Sequence, residues 1–201
     1  MRDLILKMSI SIDGFVAGPN GELDWIFSGD EEAKAWSVET VWNASLHIMG
    51  ARSFRDMAPY WATSTDVFAP PMNQIPKAVF SRRGPAALEA AKAAAGSGGG
   101  KALQPGAESW TQAYVASGDL AEEIAALKAV PGKPIIAHGG AGFARSLIAA
   151  GLVDQFVLLV HPIALGRGLP IFSDLAAPRR LELVSSRTFP KGATAQVYRP
   201  A

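Results

Sequence analysis

The stretch that most constrains this fold runs from Lys133 to Phe172, KPIIAHGGAGFARSLIAAGLVDQFVLLVHPIALGRGLPIF. A short apolar run, Ile135-Ile136-Ala137, reads as a buried strand. Glycines follow at 139, 140 and 142, and then a helical stretch in which Phe143, Leu147 and Ile148 share one face at 3.6-residue spacing. Gly151 stands where a helix ends on a left-handed residue, and Phe156 to Val160 is a second apolar strand. Strand, glycine turn, helix and strand make one unit of an α/β fold. Glycines at such a turn let the backbone approach a ligand, and the free N–H groups and dipole of the helix start favour an anion. A nucleotide phosphate is the simplest candidate. The alternative is glycine used for packing alone, and the spacing is not that of the GxGxxG dinucleotide motif.

The rest of the chain supplies more strands. Leu4 to Ile12 reads as a central strand, followed by a loop of turn formers from Asp13 to Gly21. Glu22 to Phe27 is expected to return the chain to the core. Ser28 or Asp30 is expected to cap a helix reaching about Asn43, with Glu31 and Glu32 in its first turn. Leu46 to Met49 and Lys77 to Phe80 are further strands, while the proline-rich segment from Pro59 to Pro76 reads as loop. Residues 86–100 read as an alanine-rich helix running into a flexible glycine tract. Trp110 to Val115 reads as a short strand or its approach, and Asp119 caps a helix ending near Lys128. Arg180 to Arg187 and Ala193 to Arg199 form a closing hairpin, an antiparallel edge on the sheet. The closing hairpin and the strand from Phe156 to Val160 offer an edge that a homodimer would cover.

A chain of 201 residues, 49% of them apolar, suits one α/β domain with a sizeable core. The net charge of +1 is too balanced for nucleic-acid binding by bulk electrostatics. The absence of cysteine excludes disulfides, thiol nucleophiles and CxxC metal sites. No histidines are spaced as ligands, so no metal is expected. With no apolar run long enough to span a bilayer, the expectation is a soluble cytoplasmic protein.

Three strand ends carry glycine, serine or arginine: Met49-Gly50, Phe80-Ser81 and His138-Gly139. In an open α/β sheet, ligands bind at the carboxyl ends of strands. Arg52 adds charge beside Gly50, and Ser81, Arg82 and Arg83 together suit a 2′-phosphate. The segments SIDGFVAGPNGELDW, IMGARSF, KAVFSR and the block from 139 to 172 resemble the dihydrofolate reductase-like superfamily, and more closely the RibD C-terminal domain family of riboflavin-biosynthesis reductases. The resemblance covers nearly the whole chain. It implies one three-layer domain over residues 1–201, with a central mixed, mostly parallel sheet, an antiparallel C-terminal hairpin and helices on both faces. It also implies NADPH as hydride donor and a homodimer.

Carried over by position, Gly50, Arg52 and Ser53 would hold cofactor phosphates, with Ser81 and Arg82 near the 2′-phosphate. Gly139, Gly140, Ala141, Gly142 and Phe143 would meet the pyrophosphate, and Ser9, Val16 and Ala17 would border the nicotinamide. Ala51 stands where many relatives carry a basic residue. No zinc deaminase signature is present, so the expectation is a stand-alone reductase domain. For the substrate, Asp30 is either a catalytic anchor for ring nitrogens, as the resemblance implies, or a helix cap. Asp13 is a candidate for the substrate or a turn residue, as is Asp24. Trp25 would lie beside the ring, Arg167 could meet a substrate phosphate or solvent, and the other tryptophans fill the core or wall a flat ring. The expected activity is reduction of 5-amino-6-(5-phosphoribosylamino)uracil, with dihydrofolate reduction or non-catalytic nucleotide or flavin binding as alternatives.

Overall fold

The computed structural model describes residues 1–27, 29–97, 102–173 and 175–201. Ser28 and the end of the glycine tract, 98–101, lie outside the described residues. Among the described residues the order is β1 (Leu4–Ser11), α1 (Glu31–Trp42), β2 (Leu46–Gly50), α2 (Ala51–Thr63), α3 (Ala69–Gln74), β3 (Lys77–Phe80), α4 (Glu89–Ser97), α5 (Glu108–Thr111), β4 (Tyr114–Ala116), α6 (Leu120–Ala129), β5 (Ile135–Ala137), α7 (Ala141–Ala149), β6 (Gln155–His161), β7 (Leu181–Thr188) and β8 (Thr194–Pro200).

The strands form one sheet in the order β4-β3-β2-β5-β1-β6-β8-β7. From β4 to β6 every neighbour is parallel, and β8 and β7 add an antiparallel end. Parallel strands need both faces covered. Leu4, Leu6, Leu46, Ile48, Ala137, Phe156 and Leu158 pack with α6 and α7 on one face. On the other, Met49 and Val79 pack with α2 and Trp110, and Ile5, Ile136 and Val157 pack with Trp36 of α1. All strand ends that precede a crossover therefore open on the same edge of the sheet.

Local chemistry explains the helix ends. Asp30 caps α1, accepting from the Ala33 amide at 3.1 Å. Asp119 caps α6 through the amides of Ala121 and Glu122. Gly151, at φ +69°, ends α7: its amide bonds to the Ile148 carbonyl, and the Leu152 amide reaches back to Leu147.

Four expectations need correcting. The proline-rich segment is largely helical. Pro70 and Pro71 sit in the first turn of α3, where N–H groups have no partner in any case. Pro59 lies inside α2 at an exposed position and forfeits a single ladder bond. Trp110 lies in the short helix α5 and the strand begins only at Tyr114, so of the two readings of this segment the approach to a strand holds and a strand from Trp110 does not. The segment from Glu22 to Phe27 forms a 3-10 turn with no buried residue, because Leu23 and Phe27 point to solvent. Finally, the strand from Phe156 to Val160 is no edge, since β6 pairs with β1 on one side and β8 on the other. The edge at this end of the sheet is β7, where Leu183 is 57% and Val184 51% exposed.

Asn73 holds the α3 corner together. Fully buried, it donates to the Trp61 carbonyl and accepts from the Trp110 indole, each at 2.8 Å. Asn73→Leu leaves both groups unsatisfied, and we expect a loss of about 2–4 kcal/mol in chemical denaturation. A loss below about 0.5 kcal/mol would mean that water reaches these groups instead.

Candidate active site

Two βα turns meet at the carboxyl edge. Gly50 is the N-cap residue of α2 and Gly140 that of α7, and neither helix start has a side-chain cap. The turns touch because β2 and β5 are neighbours. The His138 amide donates to the Ile48 carbonyl at 3.0 Å, and the Gly50 amide to the Gly139 carbonyl at 3.4 Å. A Cβ on Gly50 would come within 3.0 Å of Phe143 Cβ, and one on Gly140 within 3.0 Å of Ser53 Oγ. The left-handed residue is Gly139, at φ +85°, whereas Gly140 has φ −69°. Gly140 is therefore required for space, not for backbone conformation. Two uncapped helix starts side by side direct free N–H groups and two positive dipole ends at one spot.

Around this cradle, the Ser53 hydroxyl has no hydrogen bond among the described residues, and Phe143 stacks against Phe80 at 4.9 Å between centroids. Ser81 shapes the turn after β3, its hydroxyl accepting from the Arg83 amide at 3.1 Å. Arg52 and Arg82 are exposed. Ala141 is half-buried, and Gly142 leaves open space at its Cα.

The loop from Asp13 to Gly21 is fixed from beneath. Asp13 accepts from Ser11 Oγ and the amides of Leu165 and Gly166, so its carboxylate clamps two loops together and is not free for a substrate. Val16 and Ala17 are buried and exchange backbone hydrogen bonds with Leu169. Gly168 permits this, because a Cβ there would strike the Ala17 carbonyl. Arg167 is exposed. Its charge helps hold the Glu22 carboxyl below its usual range, after the larger effect of hydrogen bonds from Glu22's own backbone and from Asn20.

Asp30 is 5% exposed, and its carboxylate accepts from Ala33 and from the Lys191 amide at 2.7 Å in the β7–β8 turn. Burial raises its pKa, but the amides of Lys191, Ala33 and Glu32 and the Lys191 ammonium outweigh this and hold it low. Both oxygens thus serve the helix start and the hairpin. The cap reading of Asp30 describes this geometry, and a free anchor for ring nitrogens does not. Asp24 is exposed. Trp25 meets His161 edge-on at 5.4 Å. Of the remaining tryptophans, Trp110 is core, Trp36 is half-buried on the sheet side of α1, and Trp42 is 39% exposed.

Sequence reasoning missed a row of basic groups. The strand period of two puts Ile5, Lys7, Ser9 and Ser11 on the α1 side of β1. Register adds Ile136 from β5, with His138 directly after that strand on the same face, and Val157, Leu159 and His161 from β6. His47 of β2 and Lys77 of β3 extend the row. The rings of His47 and His138 meet edge-on at 4.5 Å. The Lys77 ammonium donates to the carbonyls of Asn73 and Ile75 and to Ser109, over the Trp110 ring, yet burial still pushes it down to about 7. Burial pushes Lys7 down to about 8. Burial, then its basic neighbours His47, Lys7 and Lys77, hold His138 well below the ordinary imidazole value. Burial and Lys7 lower His161. A lysine in the middle of a strand of a doubly covered sheet was the available signal.

His47 is pushed down to about 3 by burial and then by Lys77, with the Val41 carbonyl opposing. Below its ordinary 6.5 the unfolded chain binds a proton that the folded one refuses until about 3. The contribution is therefore complete above the unfolded value and is lost as pH falls, by up to about 1.4 kcal/mol per pH unit. Urea unfolding at about pH 7.5 and about pH 5 should show a smaller acid loss for His47→Leu than for the parent. Equal losses would remove His47 from this behaviour.

Residues 2–195 match the RibD C-terminal domain family. The chain is 29% identical over 202 residues to the uncharacterized protein YyaP of Bacillus subtilis (strain 168), covering 98% of this chain and 94% of that one. Its fold is similar to that of a putative riboflavin biosynthesis protein from Shewanella sp. PV-4, at TM-score 0.70 and 18% identity over 99% of both chains. Dihydrofolate reductase from Enterococcus faecalis, solved with NADP(H), aligns at TM-score 0.58 and 14% identity over 98% of this chain and 96% of that one.

Proposed function

Because the chain belongs to the RibD C-terminal domain family, we propose that it is an NADPH-dependent reductase of a heterocyclic substrate, with 5-amino-6-(5-phosphoribosylamino)uracil first among candidates. We read the whole chain as one reductase domain that works as a homodimer in the cytoplasm. The supporting observation is the contact between the Gly50 and Gly139-Gly140 turns, which faces two uncapped helix starts toward one place.

The residues there fit the cofactor. Gly50 and Gly140 let the two helix starts approach each other, Gly142 leaves open space at its Cα, and the amides of Ala141 and Phe143 lie in the first turn of α7. The Ser53 hydroxyl is an uncommitted donor, and the exposed Arg52, Arg82 and Arg83 can balance phosphate charge. Bound in this way, the cofactor supplies the hydride, and the protein supplies orientation and a proton. Ser9, half-buried near the carboxyl end of β1, would border the nicotinamide, with Val16 and Ala17 fixing the loop above it. Lys7, titrating at about 8, is our candidate proton source. Dihydrofolate is less favoured as substrate, because the Asp30 carboxylate is held by two amides. The dimer reading rests on the bare edge of β7.

Cofactor choice is open to direct titration. If Arg52 and Arg82 bind a 2′-phosphate, NADPH should bind more tightly than NADH by about 1–3 kcal/mol. Gly140→Val should abolish NADPH binding and lower the melting temperature only modestly, since φ there suits any residue and the atom a new Cβ meets is the rotatable Ser53 hydroxyl. Unchanged affinity in a folded Gly140→Val protein would remove this turn from the site. An NADPH-oxidation screen across aminopyrimidine ribosides and pterins then tests the substrate. Light scattering at micromolar protein should report a dimer mass, and a monomer would reject that part of the reading.

A further inference from the structure

A cavity lies where α2, α4 and α5 meet. Ala58 and Ala62 of α2, and Ala91 and Ala95 of α4, are each spaced four residues apart, so each pair shares one helix face. These faces, together with Ala107 and Trp110, enclose a space of about 160 Å³. Its floor is buried, at Ala58, Ala62, Ala91 and Trp110. An alanine reaches no further than its Cβ, so no rotamer change at these positions fills the space. Ala58 and Ala62 lie about 12 and 18 Å along α2 from Gly50, which separates the cavity from the contact between the glycine turns.

The cavity is apolar within and acidic at its mouth. Leu103, 46% exposed, forms an apolar lip. Gln104 and Glu108 border the same mouth, and neither side chain has a hydrogen-bond partner among the described residues. Among the described residues that line the cavity, Glu108 is the one that carries a charge. The nearby bases are occupied. The Lys77 ammonium is held by the carbonyls of Asn73 and Ile75 and by Ser109, and Lys92 pairs with Glu89 along α4. Apolar cavities of about this size stay dry and take up molecules the size of benzene. The lining of an empty cavity forgoes contacts that an apolar ring of matching volume restores.

We propose that this cavity is a second binding site, for a small apolar ring that carries a positively charged nitrogen, of the class of the arylmethylamines. The ring fills the space among the alanines and Trp110, and the nitrogen stays at the mouth beside Glu108 and Gln104. A ring bearing a carboxylate would meet like charge at Glu108. The site goes beyond the reductase reading and does not depend on it, because none of its residues belongs to the glycine turns or to the loop after β1.

Benzylamine, benzyl alcohol and benzoate share one ring and differ in charge, and titration calorimetry on the full chain near neutral pH measures the binding of each. Benzylamine should bind with a Kd of about 1 mM or tighter. Benzyl alcohol should bind about two- to fivefold more weakly, the range of an exposed ion pair, and benzoate more weakly still. Ala91→Leu fills the floor and Ala95→Leu the mouth, and each should weaken benzylamine by about tenfold or more. Ala95 is exposed, so Ala95→Leu should fold and melt as the parent does even if Ala91→Leu is overpacked. Glu108→Gln should bring benzylamine to the affinity of benzyl alcohol and leave benzyl alcohol unchanged. No benzylamine binding at about 10 mM, an affinity indifferent to Ala95→Leu, or benzoate binding as tightly as benzylamine would each overturn the proposal. Competition between benzylamine and NADPH would place the amine at the glycine turns and overturn it as well, whereas failure of the parent to bind NADPH would reject the cofactor reading and leave this site standing.

Discussion

Much of this structure depends on how closely the β2–α2 and β5–α7 turns approach each other. Their strands are hydrogen-bonded neighbours, so the two helix starts emerge side by side. The contact between Gly50 and Phe143 leaves no space for a Cβ without a shift, and Gly140 has the same relation to Ser53. A side chain at Gly50 would press on the Phe143 Cβ and separate the helix starts, and the positive dipole ends would then act on different places, whereas one at Gly140 would meet only the rotatable Ser53 hydroxyl. The glycines are thus a packing requirement and an electrostatic device at once. The choice between packing and ligand, posed by the sequence, does not separate the two roles.

The opposite end of the same edge is stabilised by carboxylates that serve the backbone. Asp13 joins the loop after β1 to the loop after β6, and Asp30 joins α1 to the β7–β8 turn. Each accepts from at least two amides, which keeps the carboxylate ionised. Loops anchored in this way can border a ligand without collapsing into its place. With these acids committed to backbone amides, the α1 face of the parallel strands carries the bases Lys7, His47, His138, His161 and Lys77. Burying so many basic groups together opposes folding, and the apolar contacts of Ile5, Ile136, Val157 and Trp36 around them must offset it. Local features that work against stability gather at ligand sites more often than elsewhere.

The sequence by itself determined the elements and their class. Apolar runs of three to eight residues bounded by turn formers located the strands. Helical periodicity with Asp119 and Gly151 at its ends located α6 and α7. These signals are local, carried by a few residues whose backbone preferences do not depend on distant partners. The helices at Pro59 and Pro70-Pro71 were illegible for the same reason: proline is locally a breaker, and only burial of Ala58, Ala62, Met72 and Asn73 against the sheet makes helix the better choice. Tertiary structure decided which strand ends meet. The order β2-β5-β1-β6 joins residues 89 to 150 positions apart, so no short window of sequence contains both Lys7 and His138, or both Gly50 and Gly140. It also decided what each acid does. Asp30 reads as cap or anchor until the amide of Lys191, 161 residues away, is seen to occupy its second oxygen.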